Sequence, residues 1–342
     1  RSLVDDEPEF RRELAWCLDS LADRYLQLKQ FDEAVTVIQE AVGIYRDLAV
    51  TELAIVEENF AGSLGTLSIC LDAVGRHQEA LESIDEALEI YRRMNEAHPS
   101  LFLSDIAFTL RNRAVCLDRL GKWDQALAVI MECTQCYERL FSDNPVQYRR
   151  GLANALQAMS ISLSRLDRNE ESLACQEKAL ALYRQYVVES DSSLGSRSEL
   201  ADALIHISSC LSQLNRNQEA VAPLEEAVSI LEGLVQSRPK VYEQNLADAL
   251  YQLSGRLRYV NKEEHALDAV TRSVDIYRRL LASNPTEQTR SALKDALRRL
   301  NLYLSDIDGR SDEADAVWKE WEGLTTPASA STRTLDSSMN SI

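Results

Sequence analysis

Cysteine and histidine are the side chains best suited to metal or nucleophilic chemistry, and this chain carries seven of the first and four of the second. Cys133 and Cys136 form a C-x-x-C, half of the ligand set that a structural zinc ion needs. No second pair stands at matching spacing, and Cys133 falls where equivalent segments mostly carry alanine, so packing is the better account of it. His77, His98, His206 and His265 are far apart, none with a second histidine at ligand spacing. Gly62-Ser63-Leu64-Gly65 resembles a nucleophile elbow, but its spacing is wrong and it lies inside a helical pattern. Neither a G-x-x-x-x-G-K-[ST] loop nor a G-x-G-x-x-G turn occurs. The reading from these residues is no enzyme, no metal and no cofactor.

Composition narrows the classes further. Of 342 residues, 45% are hydrophobic and 27% charged, with only 11 glycines and seven prolines, which favours helices throughout. A net charge of −18 repels phosphate backbones and argues against nucleic acid as a partner. The sequence contains no apolar run of 18 or more residues and no signal-peptide pattern, so no membrane role is expected. An odd number of scattered cysteines suits reduced thiols, and the expected compartment is the cytoplasm, with the nucleus as the other reading.

An internal period decides the rest. Segments such as FDEAVTVIQEAVGIYRDL from Phe31, HQEALESIDEALEIYRRM from His77 and WDQALAVIMECTQCYERL from Trp123 align with one another. Their small residues Ala34, Ala80, Ala126, Ser172, Ala220, Ala266 and Ala314 are spaced by 46, 46, 46, 48, 46 and 48. A second small set (Ala22, Ser68, Ala114, Ser160, Ser208, Ser254) precedes the first six by 12. A third (Ala41, Ala87, Cys133, Ala179, Ala227, Ser273) follows them by seven. Apolar residues recur between these markers at helical spacing. Small residues let two backbones approach, so each unit predicts an antiparallel helix pair crossing at those positions. Cys70, Cys116 and Cys210 occupy one place in successive units. Equivalent helices stack about 10 Å apart, too far for a disulfide.

The joints agree. Gly75, Gly121, Asp167, Asn215, Asn261 and Gly309 stand between the two helices of a pair, residue types that tolerate left-handed backbone. Lys29 is the exception by type. His98-Pro99, Asn144-Pro145, Arg238-Pro239 and Asn284-Pro285 separate successive pairs, whereas a polar stretch from Glu189 to Ser196 replaces proline at the fourth junction. The pairs fall at about 7–50, 52–97, 100–143, 146–188, 195–237, 240–283 and 286–323.

With Ser68 in a first helix and Ala80, Ile84 and Ala87 in a second, the chain resembles the tetratricopeptide family, over residues 1–323. It is similar to the longer-repeat varieties of kinesin light chains and of fungal multidomain proteins, since the usual period is about 34 residues. The resemblance implies an all-α fold, a right-handed α-α superhelix of about seven helix pairs. It also implies a protein-interaction scaffold that binds partner segments in the concave groove. The alternative is a sensor or regulatory arm of a larger signalling NTPase or caspase-like protein.

Residues 1–6 superpose on the end of a repeat, Arg1 on Arg278 and Pro8 on Pro285, which predicts a piece of a longer polypeptide. A short native N-terminal segment is the other reading. Residues 324–342, rich in serine and threonine, are expected to be a disordered tail.

In this family the first helix of each pair lines the groove. Aligned inner positions place Asp19, Asp23 and Asp72 early, with Phe108, Arg111, Asp118, Arg119, Asn154, Gln157 and Arg165 in the middle. Tyr251, Arg258 and Tyr259 come in the sixth pair. The expected partner is a protein or peptide segment with acidic side chains, held by Arg111, Arg119, Arg165 and Arg258, with tyrosines supplying apolar contact. Equally open is that these arginines pair with carboxylates on adjacent helices. The family's carboxylate clamp looks absent, since those sites carry Asp19, Asp23, Ile69 and Val115. Tyr45, Tyr91, Tyr137, Tyr183 and Tyr277 recur on the second helix and are expected to pack between units.

Overall fold

The computed structural model describes residues 8–190 and 192–325. The expected remnant at 1–6 and nearly all of the expected tail lie outside the described residues. Thirteen helices and no strand occur among the described residues. None of these helices is long and apolar enough to cross a membrane.

The described residues up to Glu189 form one compact unit and those from Ser190 a second. The first holds α1 (Pro8–Gln27), α2 (Phe31–Ala73), α3 (His77–Ala97), α4 (Leu103–Arg119), α5 (Trp123–Asp143), α6 (Pro145–Arg165) and α7 (Asn169–Glu189). The second holds α8 (Leu194–Gln213), α9 (Asn217–Ser237), α10 (Pro239–Tyr259), α11 (Glu263–Ser283), α12 (Glu287–Ser305) and α13 (Ser311–Thr325). Within each unit every helix packs on its neighbours in sequence. In the first, the leading helices of successive pairs also touch, α2 against α4 and α4 against α6. The boundary falls in the polar stretch that breaks the period. There Ser193 caps α8 by accepting from the Ser196 N–H at 3.2 Å.

The small residues sit where helices cross. Ala34, Ala80, Ala126, Ala220 and Ala266 are wholly buried, and so are Ser208 and Ser254. At the α6–α7 crossing the Ser160 and Ser172 hydroxyls lie 2.9 Å apart, and the Ser172 hydroxyl donates to the Ser160 carbonyl at 2.8 Å. Two buried hydroxyls thereby satisfy each other in a space with no room for a larger side chain.

Every joint within a pair takes left-handed backbone. Gly75, Gly121 and Gly309 have φ of 80°, 71° and 84°, and Asp167, Asn215 and Asn261 lie at 58–60°. Lys29 adopts the same conformation at φ 59° although its type is unsuited to it. The backbone requirement there overrides residue preference. Between pairs, Pro145 and Pro239 open α6 and α10, where their missing N–H costs nothing. The first junction has no proline. There α2, 43 residues long, is two helices joined end to end across a kink at Glu52, whose backbone is non-helical (φ −130°, ψ 34°). It thus supplies the second helix of one pair and the first of the next.

Candidate interaction groove

The leading helices of the second, third and fourth pairs, which are the later half of α2, then α4 and α6, line two adjoining hollows in the first unit. One has a volume of about 350 Å³ and gathers Arg111, Asn154 and Gln157 with Ile69, Val115 and Ile161. The other, about 660 Å³, holds Arg119 and Arg165 beside Asp118, Trp123 and the same Val115 and Ile161. Seven of the sequence-derived groove residues therefore converge: Asp72, Arg111, Asp118, Arg119, Asn154, Gln157 and Arg165. Ile69, Val115 and Ile161 are each 46 residues apart and share one register, making an apolar row along the three helices. Ile69 and Val115 are 38% and 39% exposed and lie in the same hollow. Sequence alignment marked Ile69 and Val115 only as departures from a carboxylate clamp and passed over Ile161. The constant spacing of three β-branched apolar residues was the available signal.

The arginines divide into two kinds. Arg119 Nε lies 3.1 Å from Asp72 Oδ2, and Arg165 Nε lies 3.7 Å from Asp118 Oδ1. Both contacts join a leading helix to the one before it, at a sequence separation of 47. These guanidiniums are compensated within the protein and link neighbouring pairs. His77 shares the Asp72 carboxylate, its Nδ1 2.7 Å from Oδ1. Arg111 has no carboxylate partner among the described residues. Its guanidinium stands 5.1 Å from the Phe108 ring centroid, and Nη2 lies 3.5 Å from Asn112 Oδ1, at the limit of a hydrogen bond. Its Nε is buried without an acceptor.

Asn154 and Gln157 are braced from behind. The Tyr183 hydroxyl lies 2.5 Å from Asn154 Oδ1 and 2.8 Å from Gln157 Oε1, and its single proton serves one of them at a time. This fixes both amides on the face of α6. The tyrosine ladder as a whole is buried. Tyr137 crosses to the next pair, where its ring covers Gly151, and burial pushes its hydroxyl pKa up to about 12. Tyr277 donates to Asp248 of its own pair.

Tyr251, Arg258 and Tyr259 lie in the second unit, in a separate hollow of about 680 Å³ that also contains Arg299 and Trp318. Arg258 Nη1 and Nη2 reach Glu263 at 2.6 Å and Asp306 at 2.5 Å, so its charge is met internally. The Tyr251 ring is covered by the Arg299 guanidinium, while Tyr259 is 70% exposed.

Asp19 sits partly buried, its carboxyl pKa raised by burial and then by Asp23. Cys133 donates to the Ala107 carbonyl at 3.1 Å, and burial pushes its thiol pKa up to about 12, which suits packing and not metal ligation. No group of three or more metal-ligating side chains is found among the described residues.

Comparison with known proteins agrees with this architecture. The tetratricopeptide repeat family model matches residues 14–50, 60–100 and 152–191. Those three segments are similar to the tetratricopeptide repeat, and the all-helical fold of the described residues is of that kind. No curated protein matches it in sequence. Among solved structures it is similar in fold to aspartyl phosphate phosphatase F from Bacillus subtilis. That similarity has a TM-score of 0.61 at 13% identity and covers 96% of this chain and 74% of that one. The apo form of RapI gives a TM-score of 0.58 at 12% identity, with 91% and 97% covered. BtubC (BKLC) from P. vanneervenii gives 0.57 at 15% identity, with 78% and 96% covered. At these identities the likeness concerns the fold alone.

Proposed function

We propose that the chain is a protein-interaction scaffold whose first unit takes a segment of a partner protein along the α2–α4–α6 face. One observation carries this reading: the apolar row of exposed Ile69 and Val115 and half-buried Ile161 runs beside Arg111, the groove arginine with no carboxylate partner among the described residues. Burying that row under apolar side chains is favourable at about 25 cal/mol per Å². A partner carboxylate on Arg111 would satisfy a guanidinium whose Nε is buried without an acceptor. Phe108 and the amides of Asn154 and Gln157 border the same hollow or its rim. The segment is thus apolar with an acidic residue beside its anchors. It meets one free cation and an apolar track, and not the broadly basic groove that alignment suggested. A net charge of −18 further supports protein over nucleic acid as the partner class.

The test is selection from a library of displayed peptides against the full chain, repeated with Arg111→Glu and with Val115→Glu at matched helicity. Selected peptides should share apolar residues next to an acid, and both variants should lose them. Arg165→Glu should cost less than Arg111→Glu, because Arg165 already faces Asp118. Binding that survives both of the first two changes would place the interaction on another face.

A further inference from the structure

The hollow in the second unit differs in kind from the groove of the first. It is lined by two guanidiniums that no carboxylate meets among the described residues, those of Arg298 and Arg299. Arg299 is held rigidly. Its Nη1 donates to the Tyr251 carbonyl and to Ser254 Oγ at 3.3 Å, and its guanidinium carbon lies 3.4 Å from the Tyr251 ring centroid. Room for it comes from Gly255, where an added Cβ would stand 3.3 Å from Nη1. Gly255 occupies the register of Ile69, Val115 and Ile161, so the residue that builds the apolar row in the first unit is deleted here. Its place is taken by a flat cation. Nε and Nη2 of Arg299 make no hydrogen bond among the described residues, which leaves donors free for an incoming oxyanion.

Arg298, the next residue on α12, is exposed and lines the same hollow. Arg256, beside Gly255 in sequence but not in the lining, is partly buried with its Nε lacking an acceptor; burial lowers its pKa most, Tyr259 raises it, and the charge of Arg299 lowers it further. Of the carboxylates in the hollow, Asp306 is taken by Arg258, and Asp295 forms no ion pair with these arginines. Beside the cations stands an apolar shelf. Leu302, Tyr259 and Trp318 are all substantially exposed, at 58%, 70% and 40%. The Trp318 indole is fixed by stacking on Trp321, centroids 4.6 Å apart, and by donating to Glu322 at 2.9 Å.

We infer that this hollow is a binding site for a phosphomonoester dianion carried on a flat apolar group. Uncompensated guanidiniums in a confined space repel one another, and a dianion with three acceptor oxygens relieves more than one of them at once. A single carboxylate satisfies only one bidentate edge. The shelf of Tyr259, Leu302 and Trp318 gives an aromatic carrier a face to rest on. The strongly acidic remainder of the chain disfavours long polyanions, so the ligand is a single phosphorylated group.

The site is tested by titrating the full chain with phenyl phosphate, followed by tryptophan fluorescence and calorimetry. Phenol, phenylacetate and inorganic phosphate serve as comparison probes. Phenyl phosphate should saturate and bind about tenfold more tightly than any of the other three, since only it engages cations and shelf together. Arg298→Glu, an exposed change that leaves folding intact, should weaken it at least about tenfold. Gly255→Val, which displaces the Arg299 guanidinium, should do the same. Arg111→Glu in the first unit should leave it unchanged, which separates this site from the groove proposed above. Phosphotyrosine and adenosine monophosphate then distinguish a modified side chain from a nucleotide as the carrier. Absence of saturation up to about 10 mM, equal affinity in the Arg298→Glu protein, or loss on Arg111→Glu would each overturn the assignment.

Discussion

At Gly151 one added methyl would meet the Tyr137 ring, with Cδ1 2.8 Å from the new carbon. The ring belongs to a buried ladder residue and has no room to withdraw. Gly151→Ala is therefore expected to destabilise the first unit by about 1–3 kcal/mol, the usual cost of overpacking, measured as a lower urea midpoint. Lys29 gives the opposite sign. A non-glycine residue in left-handed backbone carries a penalty of about 1–2 kcal/mol, and the exposed lysine side chain makes no hydrogen bond or ion pair among the described residues to offset it. Lys29→Gly should raise stability by about 1 kcal/mol, less the flexibility glycine adds to the unfolded chain. A loss instead would show that the lysine has a structural partner.

Asp202 carries a third expectation. Asn154 and Asp248 each receive the hydroxyl of a tyrosine 29 residues further on, Tyr183 and Tyr277. The matching position for Asp202 is Leu231, which offers no donor. Burial, reinforced by Glu199, pushes the Asp202 pKa up to about 6. The unfolded value is about 3.9, so the folded state favours the protonated form. Its contribution is intact below about pH 4 and is lost as pH rises through about 6. Asp202→Asn should therefore stabilise the protein by about 1 kcal/mol at pH 7, discounted for partial exposure, and by nothing near pH 3.5. An equal gain at both pH values would mean that charge is not the cause.

Among the elements, the crossings depend on small residues more than on any other feature. Ser160 is 2% exposed and shares a hydroxyl pair with Ser172. Ser160→Leu would force α6 and α7 apart and leave the Ser172 hydroxyl with only a carbonyl, costing about 1–3 kcal/mol. A loss of only a few tenths would mean that the helices do not cross there. The kink in α2 shows a different dependence. At four later junctions proline stands between pairs, but at Thr51-Glu52 nothing removes a backbone donor, so two helices abut through one non-helical residue with no loop between them. Exposed ion pairs repeat between trailing helices, Arg46–Glu86 and Arg92–Glu132 both at 2.6 Å. At such exposure each contributes little, and they act mainly to keep neighbouring helices in register.

For the molecule as a whole, stability is a sum over repeats and their neighbour interfaces, with no single central core. Unfolding should then depart from two-state behaviour. Trp16 and Trp123 report on the first unit, Trp318 and Trp321 on the second. With either pair replaced by phenylalanine, Ser160→Leu should shift the urea transition seen through Trp16 and Trp123 more than that seen through Trp318 and Trp321. Equal shifts would show one cooperative block.

The sequence by itself determined the helices, their pairing and the crossings, because those depend on local properties. Small residues at a 46-residue period, turn types at fixed offsets and apolar spacing are all legible one segment at a time. It also singled out Arg111, Asn154 and Gln157, which line one hollow. Only the tertiary structure decided which charges are free. Arg119, Arg165 and Arg258 find carboxylates on neighbouring elements while Arg111 does not, although all four look alike in an alignment. The same holds for Arg299, whose setting depends on a glycine one repeat earlier and on the face of a tyrosine. A long side chain is steered by whatever the adjoining helix presents within reach, and that reach is fixed by packing between elements.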